Sequence, residues 1–345
     1  MNYQEAIEYI HDTYRFGSKL GLQNIRRLLE KLGNPEKDLR VIHVAGTNGK
    51  GSVCSMLQSI LTEAGYRTGL YTSPYIQSFN ERIRIGNTMI PDEDLASITS
   101  EIKQAVDSML QEGHPHPTEF EVVTAIGFQY FLREKVDVLI LEVGLGGRGD
   151  STNVIKKPLA SVITPVDYDH MDQLGDSLEA IAGEKAGIIK QGCPVIVGKQ
   201  DPKAMKVIKK TAEEKNAPYY SALPEKLIIH ESLLQGQNFS VILNGVAYDQ
   251  LRVALPGLHQ VDNCLLVLKT LQVLQNSDML QISDQALRSG LEKVRWMGRL
   301  EILQHNPLFI IDGAHNIAGA RSLAGSIQLL LPNQKVTFIT GMLSD

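Results

Sequence analysis

Short apolar runs closed by turn residues alternate along this chain with longer stretches in which apolar residues recur every three to four positions. "RVIHVAG", "TGLYTSP", "VDVLILEVG", "LASVITPV" and "CPVIVG" read as buried strands, because near-continuous apolar runs bounded by Gly and Pro suit a sheet covered on both faces. "SVCSMLQSILTEAG" and "TAIGFQYFLREK" carry the helical period. This alternation predicts an α/β fold on a mostly parallel sheet with helices on both faces. Between about 219 and 253 the texture changes: "KLIIHESL" and "NFSVILNGVAY" read as antiparallel strands joined through an Asn-Gly turn, a flap on the first domain. A helix, "NCLLVLKTLQVLQ", follows, and "WMGRLEIL", "LFIIDGAHN" and "KVTFITGM" suggest strands of a second, Rossmann-like α/β unit. The expected division is residues 1–298 as the main domain and 299–345 as the start of the second. A doubly wound domain usually needs on the order of 100 residues, so this second unit is expected to be truncated, with an apolar edge through which copies could associate.

The pattern centres on "RVIHVAGTNGKGSVCSML", where a buried strand passes through a glycine-rich turn into a helix. In such a turn, backbone N–H groups can cradle phosphate oxygens while the helix N-terminus adds favourable partial charge. Gly46, Thr47, Asn48, Gly49, Lys50, Gly51 and Ser52 are the candidate loop, with Lys50 as a point charge and Ser52 as a hydroxyl for phosphate or Mg²⁺. The spacing is a variant of the common signature, since only Thr47 and Asn48 separate Gly46 from Gly49, and Gly51 precedes the hydroxyl.

Composition narrows the rest. With 345 residues, 43% hydrophobic and 21% charged, the chain is large enough for two cores and ordinary enough for an enzyme. A net charge of -5, without a basic run, argues against a nucleic-acid partner. Glu5, Glu8 and Asp12 interrupt the N-terminal segment, so no signal peptide is expected, and no apolar run approaches a bilayer span. Cys54, Cys193 and Cys264 are widely separated and odd in number, which favours free thiols in a cytoplasmic protein over a disulfide framework.

"GTNGKGS" resembles the phosphate loop of the Mur ligase superfamily of ATP-dependent amide-forming enzymes. "TSPYIQSFNERIRI", "LEVGLGGRGDSTN", "DHMDQLGDSLEAIAGEKAGIIK", "PGLHQVDN" and "IDGAHN" follow in the order seen in folylpolyglutamate synthases and dihydrofolate synthases, and the similarity runs from "GLQNIRRLLEKLGNP" to "GMLSD". The resemblance implies an ATP-dependent ligase that phosphorylates a carboxylate and lets the amine of L-glutamate displace the phosphate, with a folate or dihydropteroate as acceptor. It implies residues 1–298 as the ATP- and folate-binding central domain, two Mg²⁺ ions and a monomeric state. Another Mur-type amide ligase and a non-catalytic nucleotide or folate binder are the competing expectations.

The residue assignments follow from the same resemblance. Glu142 ends an apolar strand, where α/β proteins place ligands, and its carboxylate suits Mg²⁺. The family assigns it to the metals with Ser73 and His170, although an imidazole is an unusual Mg²⁺ donor and chemistry alone favours a His170 that bonds within its loop. Lys185 reads as an ordinary helical lysine, but the family carries a carbamylated lysine there. Lys50, Lys185 and His170 are the catalytic candidates. Asn263, Arg299, Asp312 and His315 are implied to contact ATP, with Arg299 suited to bidentate phosphate binding. Phe79, Asn80 and Arg82, then Thr118, Phe120 and Glu121, then Gly149, Asp150 and Ser151 are implied on the folate side. Tyr75 departs from the histidine that many relatives carry.

Overall fold

The computed structural model describes residues 1–17 and 20–341, and thirteen strands order these described residues. They are β1 (Val41–Ala45), β2 (Thr68–Tyr71), β3 (Ile83–Ile85), β4 (Thr88–Met89), β5 (Val138–Glu142), β6 (Ala160–Ile163), β7 (Val195–Val197), β8 (Tyr219–Ser221), β9 (Lys226–Leu233), β10 (Gly236–Leu243), β11 (Val246–Val253), β12 (Glu301–His305) and β13 (Leu308–Ile311). The first eight form one sheet in the order β4-β3-β2-β5-β1-β6-β7-β8. From β2 to β8 neighbouring strands are parallel, and the short β3 and β4 run antiparallel at one edge.

Side-chain alternation along β1 explains the two layers of core. Ile42 and Val44 join a cluster with Met56 and Leu57 of the helix Lys50–Glu63 and Leu265 and Leu268 of the helix His259–Asn276. Val41 points the other way, toward Ile102 of the helix Asp92–Gln111 and Val122 and Ile126 of the helix Glu119–Arg133. Both sheet faces are therefore covered, which is why the strands read as unbroken apolar runs.

β9, β10 and β11 form the expected antiparallel flap, turning at Asn244 and Gly245, both at positive φ, as a two-residue hairpin turn demands. Phe239, Val241, Leu251 and Val253 pin the flap onto the first core cluster.

The second unit departs in part from expectation. β12 and β13 pair only with each other, as an antiparallel hairpin across Asn306-Pro307, because so short a turn cannot hold a parallel crossover. A helix, Ile317–Leu330, follows. The strand expected in "KVTFITGM" is absent among the described residues: 335–341 is irregular, Phe338 and Ile339 are 61% and 87% exposed, and no neighbour offers a hydrogen-bond ladder. Residues 342–345, the last four of "GMLSD", lie outside the described residues.

Candidate active site

Parallel strands deliver their following loops to one edge of the sheet, and the candidate residues gather there. After Ala45 the chain turns at Gly46, where a Cβ would stand 1.8 Å from Thr164 Oγ1. Gly49 has φ +87 and caps the helix Lys50–Glu63, and a Cβ there would stand 2.4 Å from Asn263 Oδ1. Both positions therefore require glycine. No side chain caps this helix, so its first N–H groups remain available to an anion. The loop is braced from β6: Thr47 N donates to Pro165 O at 2.9 Å and Thr47 Oγ1 to Asp167 O at 3.0 Å. Lys50 Nζ folds back onto the carbonyls of Gly46 and Thr47, each at 3.1 Å. Ser52 is buried, and the Trp296 indole lies against Gly51.

Register places Glu142 beside Val44, one strand over from the loop. Its carboxylate accepts one long hydrogen bond, from Ser73 N at 3.4 Å. Burial pushes it up to about 7, opposed by Lys50, the Ser73 N–H and Arg299. Lys185, on the helix Leu178–Ala186, reaches under the loop and donates to Gly46 O at 2.9 Å. Burial and the neighbouring Lys50 ammonium bring its amine down to about 7, while Asp169 and Asp150 work the other way. A buried carboxylate with so little hydrogen bonding fits a hard, oxygen-seeking cation, and a buried amine whose burial disfavours the ammonium form fits a lysine open to carbamylation.

His170 stands apart from this pair. It has φ +48 and an exposed side chain, and its neighbour is Asp169, 3.9 Å away; no hydrogen bond or ion pair joins it to Glu142 or Ser73 among the described residues. Asp169 is the better connected group, and sequence reasoning missed it although it directly precedes His170. Burial would raise its carboxyl, but His315, His170 and Asn316 hold it down to about 2. The His315 imidazole lies 3.8 Å from Asp169 and is raised in turn. Asn316 donates to Asp169 Oδ2 at 3.2 Å and exchanges 3.2 Å hydrogen bonds with Asn48. The second unit thus touches the phosphate loop directly. Asp312 fastens its hairpin by accepting from Leu300 N and Ala314 N, both at 2.9 Å, and Arg299 lies over Gly313. Asn263 is fixed from below, its Nδ2 donating to Gln260 Oε1 at 3.0 Å.

The folate-side candidates divide by how far their polar atoms are already engaged. Asn80 donates to Ile90 O and Asp92 and accepts from Tyr3, so it acts as a strut. Thr118 and Glu121 form a capping box, and Glu121 also accepts from Ile25 N at 3.0 Å. Arg82 lies over the rings of Tyr75 and Phe79, at 5.2 Å and 5.4 Å, with Glu119 4.0 Å away. Phe120 is half-buried, edge-on to Tyr71. Gly149 is covered by Leu20 and bonded through Gly21 N, and Ser151 is buried in the turn that Asp150 caps.

Comparison with known proteins agrees with this arrangement. The Mur ligase middle domain model matches residues 44–271. A dihydrofolate synthase/folylpolyglutamate synthase of Bacillus subtilis is 44% identical over 345 residues, covering 99% of this chain and 80% of that protein. A folylpolyglutamate synthase (FPGS) of Lacticaseibacillus casei is 38% identical over 348 residues, covering 100% and 81%. A solved FPGS–AMPPCP–folate complex superposes with a TM-score of 0.89 at 37% identity, covering 97% of this chain and 82% of that one.

Proposed function

The chain belongs to the folylpolyglutamate synthase/dihydrofolate synthase family of Mur ligases, and from that membership we propose that it joins L-glutamate to a folate or to dihydropteroate at the expense of ATP. The observation that carries the reading is the convergence of the Gly46–Ser52 turn, Glu142 and Lys185 at one sheet edge, with Lys185 Nζ 2.9 Å from Gly46 O.

A carboxylate and an amine do not condense unaided in water. The acceptor's carboxylate oxygen attacks the γ-phosphorus as the bond to ADP breaks, giving an acyl phosphate. The glutamate nitrogen then attacks the acyl carbon, loses its proton and expels inorganic phosphate. Lys50 and the free N–H groups of the helix start offset the phosphate charge. Glu142 and Ser73 would hold Mg²⁺, with His170 as the further donor that the family resemblance assigns. Bound there, Mg²⁺ supplies charge neutralisation at the transferring phosphoryl group. Carbamylation would convert Lys185 from a cation that competes with Mg²⁺ into an oxygen donor beside it.

Asn263, Arg299, Asp312 and His315 face the nucleotide in this reading, and residues 299–345 act as the unit that closes over it. Arg82, Phe120, Asp150 and Ser151 serve the pterin side, with Phe79, Asn80, Thr118, Glu121 and Gly149 shaping its walls. No helix among the described residues is long and apolar enough to cross a membrane, and the free cysteines suit a reducing cytoplasm.

Steady-state ADP release tests the reading. Release should require both a pteroate-type acceptor and glutamate, and running dihydropteroate and tetrahydrofolate separately separates the two synthase activities. ATP binding with no turnover on either acceptor would favour a non-catalytic binder.

A further inference from the structure

β1 carries one buried polar side chain into the second core cluster. His43 is 0% exposed, and its Nε2 lies 2.9 Å from Thr152 Oγ1. Thr152 Oγ1 lies 2.5 Å from Asp150 Oδ1, and Asp150 Oδ2 accepts from Leu145 N at 2.8 Å. A carboxylate only accepts, so the single Thr152 hydroxyl proton goes to Asp150 and the same oxygen accepts from His43 Nε2–H. The tautomer follows. Burial, with Lys190 nearby, takes the imidazole down to about 3, so the ring is neutral and carries its one proton on Nε2. Its Nδ1 is buried without a protein partner among the described residues, which leaves the Thr152 bond as the ring's only anchor.

The consequence lies in what the two ends of the chain are attached to. His43 sits three residues before Gly46, on the strand that delivers the phosphate loop. Asp150 organises the turn Ser151–Val154 and the loop from Leu145, which Asn153 holds to Arg148 O and Gly187 O. In-line transfer demands that the acceptor's carboxylate be held in register with the γ-phosphate. A hydrogen-bonded path from β1 to the acceptor loop sets that register.

We infer that His43 is a positioning residue, which through Thr152 fixes Asp150 and the acceptor-side loop relative to the phosphate loop. The inference rests on the proposed acceptor role of Asp150. Nothing in it requires His43 to touch substrate or exchange a proton.

The test measures KM for acceptor and for ATP separately in H43L, H43Q, T152V and D150N. A glutamine amide can place an N–H where Nε2 stands, so H43Q should stay within about threefold of wild type. H43L and T152V should each raise the acceptor KM about tenfold, the scale of one hydrogen bond, with the ATP KM within about twofold. The H43L/T152V double variant should be no worse than either single change, because both cut one path. If H43L does not fold, T152V carries the same comparison. A wild-type acceptor KM in H43L or T152V, or equal rises for acceptor and ATP, overturns the positioning role while D150N remains impaired. An unimpaired D150N would instead overturn the acceptor role of Asp150, and the inference with it.

Discussion

Glu142 and Lys185 are both held near neutrality by burial, from opposite directions, and this gives the site a signed pH dependence. Glu142 loses its proton near 4.5 in the unfolded chain but near 7 in the fold. The fold therefore holds more protons in that window, and stability falls as pH rises through it. Lys185 is charged up to about 10.5 when unfolded but neutral above about 7 when folded. The unfolded chain then holds more protons, so the cost of burying this amine is full below about 7 and fades toward about 10.5. In metal-free, CO₂-depleted buffer, Glu142→Gln should flatten the melting curve between about pH 4.5 and 7 and melt higher than wild type at pH 7. Lys185→Met should flatten it between about pH 7 and 10. Curves that stay parallel to wild type would mean that folding shifts the titration of neither group. Of the two, Glu142 was placed at the sheet edge by the apolar run it closes, and the resemblance, not the run, assigned it to a metal. Only the family resemblance pointed to Lys185, since a lysine in "GEKAGIIK" looks by itself like any solvated helical lysine, and its burial depends on the loop around Gly147 closing against the helix at Glu184 O.

At the scale of elements, the strand, glycine turn and helix around Lys50 were legible because each step is local: an apolar run, glycines where a Cβ collides, then helical spacing. The folate-side candidates were harder to read. Thr118 and Glu121 have the spacing of a capping box, a local signal beside the resemblance, and they start the helix Glu119–Arg133. The segment 335–341 carries strand-like apolar residues, but a strand exists only where a partner ladder does, and sequence pattern does not report partners. The phosphate loop offers the cleanest test at this scale. Lys50→Ala should lower kcat about 10²–10³-fold, the scale of one preorganised electrostatic contact. The melting temperature should change little, because among the described residues Lys50 Nζ bonds only to two loop carbonyls. A variant with near-normal kcat would remove Lys50 from the chemistry.

For the whole molecule, the informative contacts join parts distant in sequence. Asn48 with Asn316, and Asp169 with His315 and Asn316, tie the second unit to the phosphate loop across 268 and about 146 positions. Such pairings are invisible to periodicity, and only the resemblance pointed to His315. They bring the second unit onto the glycine loop, which shares its sheet edge with a carboxylate and an amine and, in the proposed reading, faces the nucleotide and the acceptor. The central claim is that this edge activates a carboxylate by phosphorylation, and following oxygen atoms tests it most directly. The acceptor is labelled with ¹⁸O in its carboxylate and turned over with ATP and glutamate, and the released phosphate is weighed by mass spectrometry. Attack on the γ-phosphorus followed by displacement predicts one ¹⁸O in each phosphate formed, in step with amide product. Amide formation with unlabelled phosphate would contradict it, because the carboxylate oxygen would then never have been bonded to phosphorus.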